Sequence, residues 1–433
     1  MLADEPRVGK TGSAIMAADY VMAENILVIT TSSGRPVWRR AFDQWSPFGR
    51  RVQIVDGKKP LDAKTQVAIV GWGSVTNPSI RSQLLRRKWD LVIPDESHFA
   101  KNFDAKRTQA LYGELRDGGK HLDNNHALAS DQTHIWPLSG TPAPNSPFDF
   151  YPMLRALRPF CLEAHDGMPD VTKEQDFLHR YCVVRMKKVT NFRKIPVVVG
   201  GRNADELKRR IGGFMLRRTQ KDVGIREPIY ETFPLAAPAR LLSEVNASID
   251  ETKIAKLRGK KTISEDDLKA IELDLAQMRR LTGGPKARAM VEAVKDEFDC
   301  GLDKIVLAYW HRDVGAILKE GLAAYGVVGI DGSTPAHIRG EAEQRFLHDP
   351  KIRVFLGQIQ AAGEAIDLSS AALLVFVETS IVPKDMKQMS LRITNHTQTR
   401  QPIVRVAVLE GSIDETLENI LLRKWSAIRD VLT

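Results

Sequence analysis

Short apolar runs with no polar alternation, each followed by a helix-length segment, constrain this chain most. A strand apolar on both faces has no solvent side and needs helices above and below it. Ile26 to Thr30, Val67 to Val70 and Leu91 to Pro94 form one such set. The same grammar returns after Lys304 in Ile305 to Tyr309, Val327 to Ile330, Val354 to Leu356, Leu373 to Val377 and Val404 to Leu409. Two α/β lobes are expected, and 433 residues suffice for both. Between them, Asn203 to Lys221 and Pro238 to Leu281 are charged and helically periodic, and Thr282-Gly283-Gly284-Pro285 reads as a hinge. The division expected is an N-terminal lobe with a helical extension over 1–235, a helical linker and hinge over 236–285, and a C-terminal lobe over 286–433. Asp117 to Thr133, rich in Gly, Asn, Asp and His, reads as an exposed loop ahead of the strand that ends at Leu138.

Charge narrows the partners. With 63 basic and 54 acidic residues the net charge is +9, a field that favours a polyanion, although a merely soluble basic protein has the same balance. Cys161, Cys182 and Cys300 lack a CxxC pair or a histidine grouping, so they read as small buried hydrophobes in a reducing compartment and do not suggest zinc. No apolar run approaches the roughly 20 residues needed to span a bilayer. Asp4, Glu5, Arg7 and Lys10 stand where a signal peptide would be apolar, so a cytoplasmic chain without a membrane partner is expected. Aromatic residues make up 7% and form no repeated pattern with basic ones, which disfavours base stacking on a single-strand platform. Backbone contact to a duplex fits better.

The chemistry concentrates in three segments. Gly9-Lys10-Thr11, followed by the helix-compatible Gly12 to Met22, offers a phosphate the N–H groups and positive dipole end of a helix, the Lys10 ammonium, and a threonine hydroxyl for magnesium. Asp4 stands where such a loop carries its first glycine, and the strand that should precede the loop is expected to be cut off by Met1. Leu91 to Pro94 runs into Asp95-Glu96, so that at a strand tip Asp95 reaches the magnesium shell while Glu96 orients and deprotonates an attacking water. An acidic turn after a strand is the ordinary alternative, and the order and spacing after Gly-Lys-Thr weigh against it. Third, Leu138-Ser139-Gly140-Thr141-Pro142 ends another expected strand with hydroxyl groups able to contact nucleic-acid phosphates.

With these segments in place the chain resembles the Swi/Snf-type ATPases of helicase superfamily two, which are double-stranded DNA translocases. Asp4 to Thr11 resembles the family's phosphate loop, Asp95 to His98 its Asp-Glu-Ala-His, and Ser139 to Pro142 with Asn145 its Thr/Ser-Gly-Thr-Pro. Trp38, Trp45 and Phe214 to Thr219 match segments particular to this family. Asp331 to Thr334, Arg339 and Phe346 resemble the segment that contacts the DNA backbone, and Gln360 to Gly363 with Asp367-Leu368 the loop linking DNA to ATP. Gln388, Arg392 and Gln398 fall on places of the family's last motif.

The resemblance implies two RecA-like P-loop lobes, with parallel sheets flanked by helices, a helical insertion between them, and DNA-stimulated ATP hydrolysis. ATP and Mg2+ are the implied cofactors. Gly9, Lys10, Thr11 and Gly12 would hold the nucleotide, and Thr11 and Asp95 the metal. Lys10, Asp95, Glu96, Gln388 and Arg392 would act in catalysis, with Arg392 facing ATP across the lobe interface. Ser139, Thr141, Ser333, Thr334, Gln360 and Gly363 would touch nucleic acid. The implied partner is double-stranded DNA, with single-stranded or branched DNA as further substrates and a monomeric, DNA-associated chain.

Several positions depart from the pattern. Asn395 replaces the last motif's second arginine and Thr397 its glycine, while Arg7 and Ala365 replace two loop glycines. The family's adenine-reading segment would lie before Met1. Loss of an arginine finger costs roughly 10³ to 10⁵ in rate, so impaired hydrolysis is expected. A nucleic-acid-binding clamp that uses ATP only to set its conformation is the alternative in a different class. An RNA-dependent ATPase of the same superfamily is the third.

Overall fold

The first set of apolar runs forms the parallel strands β1 (Ile26–Thr30), β3 (Val67–Gly71) and β4 (Leu91–Pro94), and Val52–Val55, not read as a strand in the sequence, adds β2. β5 (Glu114–Arg116) and β6 (His121–Asp123) form a separate hairpin, and β7 (His134–Ile135) completes the sheet in the order β2-β3-β1-β4-β7. In this computed structural model residues 1–117, 121–130, 134–140, 142–143, 146–188, 194–247, 272–363, 366–380, 382–412, 414–416 and 418 are described.

Period-2 alternation sends neighbouring side chains to opposite faces, and both faces are covered. Ile26, Val28, Val67, Ile69, Leu91 and Ile93 meet Ile15 and Ala18 of helix α1 (Lys10–Tyr20) and Trp38 and Phe42 of α2 (Gly34–Trp45). Leu27, Ile29, Ala68, Val70 and Val92 face Trp72, Trp89, Tyr112 and Tyr151. Of the strand expected to be cut off before the phosphate loop, only isolated bridges at Leu2 are found. Leu2 bridges in parallel to both Leu138 and Leu216, and Leu2 N donates to Pro137 O at 2.9 Å while Ala3 N donates to Leu216 O at 2.7 Å. Two neighbours satisfy so short a segment without any length or periodicity of its own.

A hairpin of β8 (Cys182–Lys188) and β9 (Lys194–Gly201) follows, antiparallel throughout. The second set of runs forms β11 (Ile305–Tyr309), β12 (Val327–Ile330), β13 (Val354–Gln358), β14 (Leu373–Phe376) and β15 (Ile403–Leu409), and β10 (Ile229–Leu235), which was not among those runs, joins them in one all-parallel sheet. Its order is β10-β15-β14-β11-β13-β12. The chain is therefore α/β with two parallel sheets, falling into the units Met1–Thr219 and Gln220–Thr433.

The boundaries differ from those read in the sequence. β10 pairs with β15 along its full length, from Ile229 with Ile403 to Leu235 with Leu409, so residues assigned to the end of the first lobe belong to the second. Gly283-Gly284-Pro285 is no break, because it lies inside the helix Glu272–Asp299. Gly283 serves close packing instead: a Cβ there would stand 2.7 Å from Glu378 Oε1 and 2.9 Å from Val314 Cγ2. Within Asn203 to Lys221 only Ala204–Gly212 is an α-helix, since Leu216 is drawn into its bridge with Leu2. Pro238 to Leu281 contributes the helix Ala239–Ala247 and the start of Glu272–Asp299, while 248–271 lie outside the described residues. Asp117 to Thr133 is not simply an exposed loop, because it carries β6 and buries Ala127 and Leu128. Cys161 and Cys182 are buried as expected, but Cys300 is exposed. No helix among the described residues is long and apolar enough to cross a membrane.

Candidate functional site

The phosphate loop is built by φ angles and by a long-range clamp. Gly9, at the start of α1, has φ 102°, in the left-handed region that favours glycine. Arg7 also adopts φ 72°, a glycine-like backbone carried by an arginine at the place where the resembling loop has glycine. Asp4 is wholly buried, and its carboxylate accepts from Arg218 N at 2.8 Å, Arg218 Nε at 3.0 Å and Arg218 Nη2 at 2.6 Å. Glu5 N donates to Arg218 O at 2.9 Å, so the segment ending the first unit braces the loop.

Lys10 folds back onto this loop, its Nζ donating to Asp4 O at 2.7 Å and Glu5 O at 3.0 Å. It also stands beside Gly140, where a Cβ would lie 3.5 Å from Lys10 Nζ. Thr11 is half-buried in the first turn of α1. Gly12 is packed rather than open, since a Cβ there would meet the Trp45 ring at 3.0 Å. That contact gives Trp45 its place, seating the end of α2 on the start of α1.

Asp95 follows β4, beside Thr30 at the end of β1. Its Oδ2 accepts from Thr30 Oγ1 and from Trp38 Nε1, each at 2.8 Å. Its backbone O accepts from Trp72 Nε1 at 2.9 Å, and its Oδ1 from Glu96 N at 3.0 Å. Desolvation and the adjacent Glu96 carboxylate push Asp95 above the usual carboxylate range, while the Trp38 and Thr30 donors and the Lys10 charge pull it back. Glu96 turns through φ 50°, in the left-handed region. Its Oε2 lies 3.2 Å from His98 Nδ1.

Ser139, expected to touch nucleic acid, is wholly buried, and its Oγ lies 3.0 Å from His98 Nδ1. Its hydroxyl therefore links the Asp95 segment to the Leu138 segment instead of meeting solvent. Thr141 and Asn145 lie outside the described residues, as does Ala365.

In the second unit the motif residues form their own cluster. Asp331 Oδ1 accepts from Ser333 N at 2.8 Å, Ser333 Oγ at 2.7 Å and Thr334 Oγ1 at 3.0 Å. These donors hold Asp331 below the usual carboxylate range, the Ser333 hydroxyl most of all. The hydroxyls expected to meet DNA are thus committed to a turn. Arg339, expected to lie along DNA, ties two loops by donating to Thr334 O at 2.9 Å and Ala361 O at 3.1 Å. Gln360 is exposed and Gly363 buried, near the half-buried Gln388. Arg392 is also buried and donates through Nη2 to Gly363 O. Asn395 Oδ1 accepts from Thr397 N at 2.6 Å and Gln398 N at 3.0 Å, and its Nδ2 donates to Ser369 Oγ at 2.5 Å. Gln398 Nε2 donates to Ser369 O at 2.8 Å and Ala371 O at 3.0 Å.

The Arg218 clamp on Asp4 and the Thr30, Trp38 and Trp72 donors on Asp95 were not assigned these roles from the sequence. Thr30 was within reach of sequence reasoning, because a hydroxyl ending a strand beside β4 must neighbour the Asp95 tip.

A lysine at the start of a glycine-led helix, beside paired carboxylates at the tip of a neighbouring parallel strand, marks the helicase-like P-loop ATPases as a class. The SNF2-related domain model matches residues 1–232, and the chain belongs to that family. It is 24% identical over 435 residues to a Bos taurus protein described as DNA annealing helicase and endonuclease ZRANB3, covering 98% of this chain and 38% of that protein. It is 25% identical over 445 residues to the Caenorhabditis elegans SWI/SNF-related matrix-associated actin-dependent regulator of chromatin subfamily A-like protein 1 homolog, covering 100% of this chain and 59% of that protein. The chain thus spans 38% and 59% of the length of these two relatives. A solved structure described as the Sulfolobus solfataricus SWI2/SNF2 ATPase core in complex with dsDNA is 19% identical, with a TM-score of 0.41, covering 99% of this chain and 87% of that one. SNF2-family relatives are ATPases of the helicase superfamily that act on DNA.

Proposed function

We propose that the chain is an ATP-dependent double-stranded DNA translocase, hydrolysing ATP at the Lys10, Asp95 and Glu96 cluster. One observation carries the reading: the glycine-led start of α1, the Lys10 ammonium and the Asp95-Glu96 tip stand together at the carboxyl ends of a parallel sheet's strands, where open α/β sheets hold phosphates.

The residues present fit magnesium-ATP. No side chain caps the start of α1, and nothing lies within 4 Å of the Gly9 Cβ position, so a phosphate can approach the helix N–H groups. Bound magnesium-ATP supplies the γ-phosphoryl group and a divalent charge that spreads its negative charge. Lys10 would neutralise phosphate oxygens in exchange for its Asp4 and Glu5 carbonyls, and Thr11 and Asp95 would hold the cation. Glu96 orients the attacking water and takes its proton. For DNA, Arg39 and Arg40 on α2 and Lys208 and Arg209 on the helix Ala204–Gly212 are exposed cations suited to backbone phosphates. Remodelling of bound proteins or reannealing of strands would be the output, as the relatives' descriptions suggest.

The test is steady-state ATP hydrolysis with and without linear duplex DNA, single-stranded DNA and RNA, with Lys10→Ala as control. Strong stimulation by duplex, abolished in Lys10→Ala, supports the motor, and turnover that survives Lys10→Ala rejects the site. Absent hydrolysis with salt-sensitive DNA binding that ATP alters selects the clamp, a reading favoured by the uncharged Asn395 in its turn.

A further inference from the structure

Two tryptophans and a threonine converge on one aspartate. Gly34 makes the convergence available. A Cβ there would stand 2.3 Å from Thr30 Oγ1, so only glycine lets the first turn of α2 close over the end of β1. Trp38, one turn further on the same face, then lies against the strand tips, 1% exposed, with its ring 6.1 Å from that of Phe42. An indole so placed needs an acceptor for its N–H, and Trp38 finds the carboxylate of Asp95. Trp72, 4% exposed and stacked 6.1 Å from Phe99, donates its indole N–H to the Asp95 carbonyl and its backbone N–H to Thr30 O at 3.0 Å. Side chain and backbone of Asp95 are thus each held by an indole.

The consequence lies in the lone pairs. A carboxylate oxygen accepts two hydrogen bonds, and Thr30 and Trp38 take both places on Oδ2. Oδ1 accepts from Glu96 N and keeps one place. The carboxylate therefore cannot rotate without breaking a buried donor's bond, and it presents a single oxygen.

We infer that Trp38 and Thr30 are positioning residues that aim Oδ1 of Asp95 at the magnesium ion accompanying ATP, with Trp72 holding the backbone beneath. This rests on the ATP site proposed above. Neither residue touches nucleotide; they act by fixing which oxygen the cation meets. Loss of either donor lets the carboxylate turn and lowers the contribution of magnesium to nucleotide affinity.

The experiment is calorimetric titration of the full chain with ATP, once in magnesium chloride and once in EDTA. The variants are Trp38→Phe, which keeps the ring and removes the N–H, and Thr30→Val, which keeps the shape and removes the hydroxyl. A hydrogen bond to a charged group is worth enough to predict that the ratio of the two affinities falls about tenfold in each variant. Affinity in EDTA stays at the wild-type value, whereas a merely structural role would lower both affinities together and leave the ratio alone. An unchanged ratio in Thr30→Val, the variant less exposed to folding defects, overturns the inference. Wild-type protein that binds no ATP, or Lys10→Ala that binds it normally, brings down the proposed site as well. Magnesium-dependent binding in the wild type with unaltered ratios in the variants brings down only the positioning role.

Discussion

Truncating Arg218 tests how the phosphate loop is held. Asp4 is wholly buried, and two of its three bonds from Arg218 come from the guanidinium. In Arg218→Ala the backbone N–H remains, but the carboxylate keeps its charge where water does not reach. Stranding one partner of a buried pair costs roughly 3–5 kcal/mol. The Arg218 side chain is 39% exposed, so solvent already screens the pair in the wild type, and about 3 kcal/mol is the expected loss. For a domain the size of Met1–Thr219 this lowers the melting temperature by roughly 6–12 °C. The effect reaches the site as well, because Asp4 O is the acceptor of Lys10 Nζ at 2.7 Å, and a slackened loop no longer presents that lysine. Scanning calorimetry and ATP titration of the full chain read the two effects. Asp4→Asn combined with Arg218→Ala strands no charge and should melt above Arg218→Ala alone. Melting and ATP affinity both unchanged in Arg218→Ala would refute the clamp.

Three further outcomes are expected. Arg7→Gly relieves a left-handed residue worth roughly 1 kcal/mol and should leave ATP affinity intact; a marked loss of affinity would make the guanidinium a phosphate contact. Asn395→Arg should raise ATP turnover while lowering the melting temperature, because arginine has no acceptor for Thr397 N and Gln398 N; an unchanged rate would remove the missing finger as the limit. Glu418, in the second unit, is pushed up to about 7 by burial first and by Asp414 next, against Lys286, the Thr379 hydroxyl and Arg279. Its folded form holds a proton that the unfolded chain has already released, so this stability is complete below about 4.5 and lost as pH rises to about 7. Melting should therefore occur lower at pH 8 than at pH 5, and Glu418→Gln should flatten that component of the profile; an equal slope in the variant would exclude this carboxyl as its source.

What the sequence revealed and what it withheld divide along one physical line. Strands buried on both faces announce themselves as apolar runs, so β1, β3, β4 and the five later strands were legible. The phosphate loop and the Asp95-Glu96 tip were legible because their chemistry lies in adjacent residues. Pairings between distant residues were not: Asp4 with Arg218 and Trp38 with Asp95 become neighbours only through strand order. Local rules also failed where packing overrode them. Gly283 and Pro285 read as a hinge, yet the helix runs through them, and Glu378 and Val314 press too close to Gly283 for a side chain there. Ser139 reads as an exposed hydroxyl because serine in a loop often is one, and here it is an internal link to His98.

The two units differ in how ready their motif residues are. In the first, Asp95 is already fixed by Thr30 and Trp38, and Lys10 needs only to exchange two carbonyls for phosphate oxygens. In the second, Arg392 is bonded to Gly363 O and buried, and Asn395 and Gln398 brace Ser369 and Ala371. An arginine in that state reaches a phosphate only by giving up a buried carbonyl, which then needs another donor. After the Ile359 carbonyl at 3.0 Å, the Cβ and Oε1 of Gln388, each at 4.0 Å, lie nearest the Gly363 Cβ position, and a turn of the Gln388 amide would bring its N–H toward the freed Gly363 carbonyl. Gln388→Ala should therefore slow turnover while leaving ATP affinity unchanged, because only the release of Arg392 depends on it. A loss of affinity at unchanged turnover would instead put Gln388 in the resting architecture of the loop.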